Sequence, residues 1–545
     1  MGRHLLPRLV LLSAPAALLV GACVGDDPVA AAPASEVDGG GGEAGGQDAD
    51  PQKPTLAVVA VTTSANVLPS ASVTVDVTVT RGGSLAGPVK VSLTGLPGGV
   101  TAEPLTIAAN ETRGRFTLAA SASPTQGVAI VGISAQSSDG AIGATAVFEL
   151  VVRDIPGSLD TSFASTGVVA DASLLIEAVT LQKDGKIVLG GSAPTSAAFA
   201  DNYVAVRLDT TGKLDATFAT GGRFKATLGV ESAGYSNYVT GVAVFEATGN
   251  IVIGGSAVAG GELRLGAMRL DKNGKQDKTF GVAAVGGAIG PSLARGRTLV
   301  SSGGDAYVVG YAASFITGPV VLGRLGPSGF DAAFGTGGMA TATGHSLVVH
   351  DAAIQSDGKV LVCGQSGAIG TDGIATILRL DKNGAVDLGY GTNGEYTFNS
   401  ASKNEDAMAM ALLPDDRVVV VGTKLGGGGA VAEVYVDVIL PTGKRDAAFG
   451  GTVQHVGDGD GNAVATAVAV QQDGLIVLAG YAKNGTYQGF LWRLLKNGTP
   501  DPAFNGGVPV RRPVAAGSTT ASGAVIDGYN RVVVTTESSV TRTWL

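Results

Sequence analysis

Side chains able to move protons, attack a substrate or hold a metal are few in this sequence. Of the four histidines, His4 lies in the N-terminal segment 1–22 that is expected to be removed, which leaves His345, His350 and His455 as bases or ligands. No His-x-x-His or paired Cys/His spacing is present, so no zinc site is expected, and loop or packing roles are assigned to His345 and His350. Asp458, Asp460 and Asn462 put oxygens at positions one, three and five of a calcium-type loop. The twelfth position, which needs a bidentate Glu, is Ala469 inside an apolar run, so the segment reads as an acidic turn. The run Gly426 to Gly429 lacks the Lys-Ser/Thr of a phosphate loop, and no Gly-x-Ser-x-Gly elbow stands in a strand-to-helix setting. With Trp492 and Trp544 the only tryptophans, an aromatic platform for carbohydrate has little material. No catalytic residue, cofactor or metal is assigned.

The scaffold around these residues is rich in small side chains. The chain has 545 residues, 45% apolar and 15% charged, with 84 glycines, about twice the usual share. That length allows two to four domains, and the apolar fraction excludes a mostly disordered chain. The net charge is −9 with no basic cluster, which argues against nucleic acid as a partner.

Arg3 and Arg8 flank the start of an apolar stretch, Leu9 to Ala22, which suits a secretory h-region and is too short to span a bilayer. It closes as Leu19-Val20-Gly21-Ala22-Cys23, which resembles a bacterial lipobox. The resemblance implies a signal peptide over 1–22 and a lipid on Cys23 that ties the protein to a membrane, where multiple acyl chains give stable anchoring. Val24 stands where an Asp commonly retains lipoproteins at the inner membrane, so the outer membrane is favoured within the cell envelope. Residues 23–53 are Ala, Gly, Pro and acids, a disordered tether with a span on the order of 30 Å. Cys363, in Val360-Leu361-Val362-Cys363, reads as a buried strand thiol.

Between 54 and 154 the pattern has period two, most clearly from Ala71 to Thr80. Further strands are expected at Leu56–Thr62, Val89–Leu96, Thr106–Ala108, Arg115–Ala120, Val128–Ala135 and Ala144–Val152, together a β-sandwich. The stretch Leu96 to Thr112 resembles immunoglobulin-like domains of bacterial surface proteins, and a spacer role is expected for it.

From 155 to 545 the motif Asp-x-x-Phe/Tyr recurs as Asp160/Phe163, Asp215/Phe218, Asp277/Phe280, Asp331/Phe334, Asp387/Tyr390, Asp446/Phe449 and Asp501/Phe504. Near-regular units of this size indicate a repeat architecture. In the first unit, strands Glu177–Gln182, Ile187–Ser192 and Tyr203–Leu208 follow a short one after Gly167, with Asp184-Gly185 as a type I′ turn. Four strands per unit make a β-propeller of seven blades. The succession Gly-x-Leu-Asp-x-x-Phe, Gln-x-Asp-Gly-Lys-Ile-Val and Ala-x-x-Arg-Leu resembles the delta-60 repeat family of bacterial β-propellers. That resemblance implies an exported propeller with no common activity, and it transfers no catalytic residues. In the fifth unit Ile439-Leu440 stands in place of Arg-Leu.

An Arg precedes the motif by seven or eight residues in most units, a spacing at which it can grip the Asp. Asp160 has no Arg eight residues upstream and Arg542 no downstream Asp, so ring closure is expected to bring this pair together, with Gly167 to Ala170 completing the last blade. The expected protein is all-β, an immunoglobulin-like sandwich followed by a seven-bladed propeller. It is monomeric and non-enzymatic, serving binding or surface interaction. The alternative is a propeller lyase, glycosidase or quinoprotein acting at the channel mouth.

Overall fold

The computed structural model describes residues 53–545 apart from 172, 195–200, 227, 229–236, 246, 260–261, 281–292, 303, 314–317, 368–372, 399–404, 427–429, 451–453, 457–462, 485 and 514–520. The chain divides into two compact units, the first ending at Ser162 and the second running from Phe163 to Leu545. The division falls later than the one read at Asp154 from the alternation of apolar residues.

The first unit is a sandwich. One sheet runs Thr55–Ala60, Ser72–Gly82, Arg113–Ala120, Val100–Thr101; the other runs Ser64–Val67, Gly143–Val152, Gly127–Ser137, Val89–Thr94, Leu105–Ile107. The strands Ser64–Val67 and Val100–Thr101 are missing from the sequence reading, because four and two residues are too few to carry a period. Alternate residues Val75, Val77 and Val79 meet Phe116, Leu118, Val131, Ile133, Phe148 and Leu150 in one core, as expected when two half-buried sheets face each other. Arg81 fastens one edge by donating to the carbonyls of Gly87, Ile107, Ala108 and Glu111.

The second unit is a β-propeller. Its first sheet is Leu175–Leu181, Ile187–Pro194, Asp201–Leu208 and Arg223–Ala226, all antiparallel. The strands Leu175–Leu181, Tyr238–Phe245, Leu293–Ser302, the C-terminal half of Met339–Ile354, Glu405–Leu412, Ala463–Val470 and Ala521–Ile526 each pack on the next, and the last packs on the first, forming an inner ring. The strand Val168–Ala170 does not join the first sheet. It pairs with Ser539–Trp544 as the outer strand of the sheet containing Arg531–Thr536 and Ala521–Ile526. Core clusters accordingly cross repeat boundaries: Val525, Val533 and Val540 pack with Phe163, Ile176 and Leu189, and Tyr203 and Phe218 pack with Val239 and Val242. Each sheet is buried on both faces, which accounts for the uncharged Val/Ile runs of its second strand.

Two local readings need correction. In the hairpin after the first inner strand only Gly185 has positive φ, with Gly185 N–H bonded to Gln182 O and Gln182 N–H to Lys186 O. A type I′ turn needs two such residues, so the turn is the longer kind that ends on one left-handed position. That position is filled by Gly249, Gly304, Gly358, Asp416, Gly474 and Asn530 in later repeats, which makes Tyr529-Asn530 the equivalent of Asp184-Gly185. In the fifth repeat, Val418 pairs with Ile439 and Val419 with Val438, as Ile187 pairs with Leu208 and Val188 with Arg207. The residue in place of Arg is therefore Val438.

Every inner strand carries a β-bulge at one position. The extra residues are Glu177, Thr240, Arg297, His350, Met408, Thr466 and Ser522. Opposite the bulge the second strand presents Gly191, Gly255, Gly364, Gly422 or Gly480, where an added Cβ would be driven into the carbonyl oxygen of Leu175, Tyr238, Val348, Asp406 or Val464. Because that oxygen is fixed backbone, Gly364→Ala is expected to destabilise by about 3 kcal/mol, read as a lower urea midpoint with an unchanged m-value. An unshifted midpoint would show that the bulge relaxes freely.

Candidate functional site

The repeated Asp, Arg and aromatic residues form one interblade clamp. In Asp-x-x-Phe the Asp Oδ1 accepts from the N–H two residues on, and from its hydroxyl where it is Thr, as Asp215 does from Thr217 and Asp277 from Thr279. Its Oδ2 takes the Arg of the preceding strand: Arg207–Asp215 at 2.9 Å, Arg269–Asp277 at 2.7 Å, Arg324–Asp331 at 2.5 Å, Arg379–Asp387 at 2.9 Å and Arg493–Asp501 at 2.7 Å. The same guanidinium lies over the aromatic ring, 4.7 Å from Phe218, 4.7 Å from Phe280, 4.9 Å from Phe334, 4.5 Å from Tyr390 and 5.2 Å from Phe504. Arg207 then reaches Lys272 O, and Arg379 reaches Pro441 O, in the turn of the following repeat. The ring is covered by that turn's glycine, Gly274 on Phe218 and Gly443 on Tyr390.

At the ring closure Arg542 lies over Phe163 at 4.6 Å, donates to Thr210 O, and gives its own N–H to Gly167 O. Asp160 is buried in the first unit, accepting from the N–H and hydroxyl of Ser162. The fifth clamp is rebuilt, since Val438 carries no charge. Arg417, from the hairpin, binds Asp446 at 2.7 Å, while Arg445 pairs with the buried Asp437. Phe449 keeps its buried place.

These clamps leave the residues that break the repeat. His350, the bulge residue of the fourth inner strand, is 4% exposed, and its Nε2 lies 3.0 Å from Asp406 Oδ2 on the next inner strand. Facing a carboxylate, Nε2 is the donor of this contact. Asp351 follows, where other repeats have Ala178, Gly241, Thr298, Ala409, Ala467 and Gly523. It is wholly buried and accepts from Ala352 N and Met410 N; burial pushes its carboxyl well above the usual range, and these two bonds oppose it. Tyr435 donates to Asp406 O and the Cys363 thiol to Ala407 O. Burial raises the Cys363 thiol well above its ordinary value, so it stays protonated and acts as a packing group.

His345 Nδ1 lies 2.6 Å from Glu395, so both histidines assigned to loop or packing roles are paired with carboxylates. His455 pairs in register with Tyr435. Asp458, Asp460, Asn462 and Cys23 lie outside the described residues. Among the described residues no three His, Cys, Asp or Glu side chains are grouped to hold a metal. Spacing alone hides the His350–Asp406 pair, which is 56 residues apart. The available signal was that His350 and Asp351 interrupt an otherwise apolar inner strand.

A family described as "Domain of unknown function (DUF5122) beta-propeller" matches residues 182–218, 246–280, 355–390 and 471–504. Those are the first, second, fourth and sixth repeats, and the rebuilt fifth is not among them. No curated protein matches the sequence. Similar solved structures include the GH93 alpha-L-arabinofuranosidase of Fusarium graminearum, at 10% identity over 69% of this chain and 98% of that one, TM-score 0.35. Others are the alpha-L-arabinanase of Penicillium chrysogenum, at 10% identity over 68% and 92%, TM-score 0.32, and a mannose phosphorylase from Leishmania mexicana, at 10% over 69% and 84%, TM-score 0.26.

Arg493 and Asp501 are both at least nine-tenths buried, so Arg493→Ala strands a carboxylate and is expected to cost about 3–5 kcal/mol, measured by urea unfolding. The clamps also set an acid limit. Thr279 on Asp277 and Arg324 on Asp331 hold those carboxyls below their ordinary range. For Asp215, Asp387 and Asp446 burial pushes upward but is outweighed by Thr217, Gly389 N–H and Arg417. The native state then binds fewer protons than the unfolded chain, so this stability is present above about pH 4 and falls below it. The urea midpoint should be lower at pH 3 than at pH 5; Asp277→Asn should lessen the drop, and an equal drop would remove that clamp from the effect.

Proposed function

We propose that this is an exported lipoprotein of the cell envelope, anchored through Cys23, with an immunoglobulin-like spacer carrying a seven-bladed propeller that binds a ligand without transforming it. The observation that carries the reading is the division of labour in the propeller. Repeated Arg, Asp and aromatic residues are consumed in clamps, whereas chemically varied side chains share one bulge position around the inner ring. Bulges are concentrated where a strand must re-aim a side chain toward a site. In this reading Asp160 completes the last clamp with Arg542, the tether 23–53 holds the folded part off the membrane, and the protein is monomeric. Nucleic acid is not a partner, and Asp458, Asp460 and Asn462 form a turn that needs no calcium. The His350–Asp406 pair favours one alternative, a propeller enzyme of lyase, glycosidase or quinoprotein type with His350 as the base.

Two measurements test the proposal. Cys23→Ala should move the protein from the membrane to the soluble fraction, and an unchanged distribution would remove the anchor. A thermal-shift screen against polysaccharides, cell-wall fragments, quinones and metals with chelator controls should give a saturable shift with one class. No shift with any class would leave a structural role, and turnover of the bound compound would favour the enzyme.

A further inference from the structure

Away from the inner ring, one groove departs from the repeat in its charge. A cavity of about 510 Å3 opens at the rim between the first and second blades, lined by the outer strand Arg223–Ala226 and by the turn 273–276 of the next repeat. Its cations are Arg223, Lys225 and Lys275, and no carboxylate lines it. Arg223 is spent on Asp171, whereas Lys225 and Lys275 are exposed and have no ion pair among the described residues. Lys225 stands on the last strand of its sheet, where a long stem can turn to either face. The matching places in the other described grooves hold Ala170 with Lys213, Thr341 with Ala385, Thr397 with Lys444 and His455 with Thr499. Among the described residues, then, only this groove joins two lysines, in a protein whose net charge is −9.

The backbone narrows the kind of anion. A phosphate nest needs free N–H groups. Here Ala219 N–H goes to Asn273 O, Thr220 and Arg223 bond each other, Gly274 N–H goes to Asp271 O, and the N–H groups of Asn273 and Lys275 go to Asp271 Oδ1. Recognition therefore falls to side chains. Two ammoniums supply point charges for one carboxylate. The Asn273 and Gln276 amides and the Thr220 hydroxyl can each donate and accept, as sugar hydroxyls require, and the half-buried Phe224 adds an apolar edge. We infer that this groove binds an acidic sugar of the uronate type, its carboxylate held by Lys225 and Lys275 and its hydroxyls by the amides. The volume falls within the roughly 300–1,000 Å3 of small-ligand sites. The groove lies on the outer strand, three strands from the bulge residues of the inner ring, so it is a second site, separate from the binding position proposed above.

The test titrates the purified protein calorimetrically with trigalacturonate and with its fully methyl-esterified form, which keeps the rings and hydroxyls and loses the charge. The acid should bind saturably, and more weakly as salt is raised; the ester should not bind. Lys225→Gln combined with Lys275→Gln should weaken the acid at least tenfold. Lys213→Gln, at the same turn position of the preceding repeat, should leave the affinity unchanged. Both lysines are exposed, so the double variant should keep the parent's melting temperature, which shows that it folds. Inorganic phosphate at a concentration equal to the sugar's should not displace it. Equal binding of acid and ester, full affinity in the double variant, an equal loss in Lys213→Gln, displacement by phosphate, or no binding of the acid each overturns the site.

Discussion

The propeller depends on one planar cation used three times over. A guanidinium on the third strand of a repeat binds the Asp of the next loop, stacks on that loop's aromatic ring and donates to the following repeat's turn, as Arg207 does with Asp215, Phe218 and Lys272 O. Lys has neither the fork nor the flat face to do this. Desolvating such a pair nearly cancels its Coulomb gain, so the clamp's contribution lies in register. It fixes which turn lies on which ring, and with it the angle between sheets whose Val and Ala faces would otherwise slide over one another.

The fifth repeat shows the same constraint met by other means. Once Val438 replaces the guanidinium, Asp446 still needs a cation, and Arg417 supplies it from the far end of the hairpin. Lys186 and Lys359 already touch the clamp aspartates of their own repeats from the equivalent place, at 3.3 and 3.4 Å. The substitute was therefore present in weaker form elsewhere. Arg445 and the buried Asp437 are a further local pair with no counterpart in the matched repeats.

Much of the architecture was legible because it is periodic. The strand pattern, the Asp-x-x-Phe spacing and the offset of the Arg all repeat, and each has a counterpart in the sheets. What escaped was whatever depends on a single residue's backbone state or on contacts across repeats. The hairpin type could not be read from Asp-Gly, since the left-handed position is set by the pairing of Gln182 with Lys186 and not by the dipeptide. The glycines ending the second strands were visible, but their cause was not: the neighbouring strand's bulge brings a carbonyl into the space a side chain would need. His350 and Asp406 belong to different repeats and meet only because two inner strands adjoin, a relation that no spacing within a repeat encodes.

The sheet that joins Val168–Ala170 to Ser539–Trp544 bears on when the fold can exist. Partners such as Val168 and Thr541 are separated by nearly the whole second unit, and Phe163 waits for the guanidinium of Arg542. While the chain is being made, the first blade can form but cannot be covered on its open side. Synthesis therefore passes through a long phase in which the growing array has two raw ends, and closure arrives as a late, cooperative step whose slowness comes from sequence separation. Such a chain stays loose until almost all of it is present.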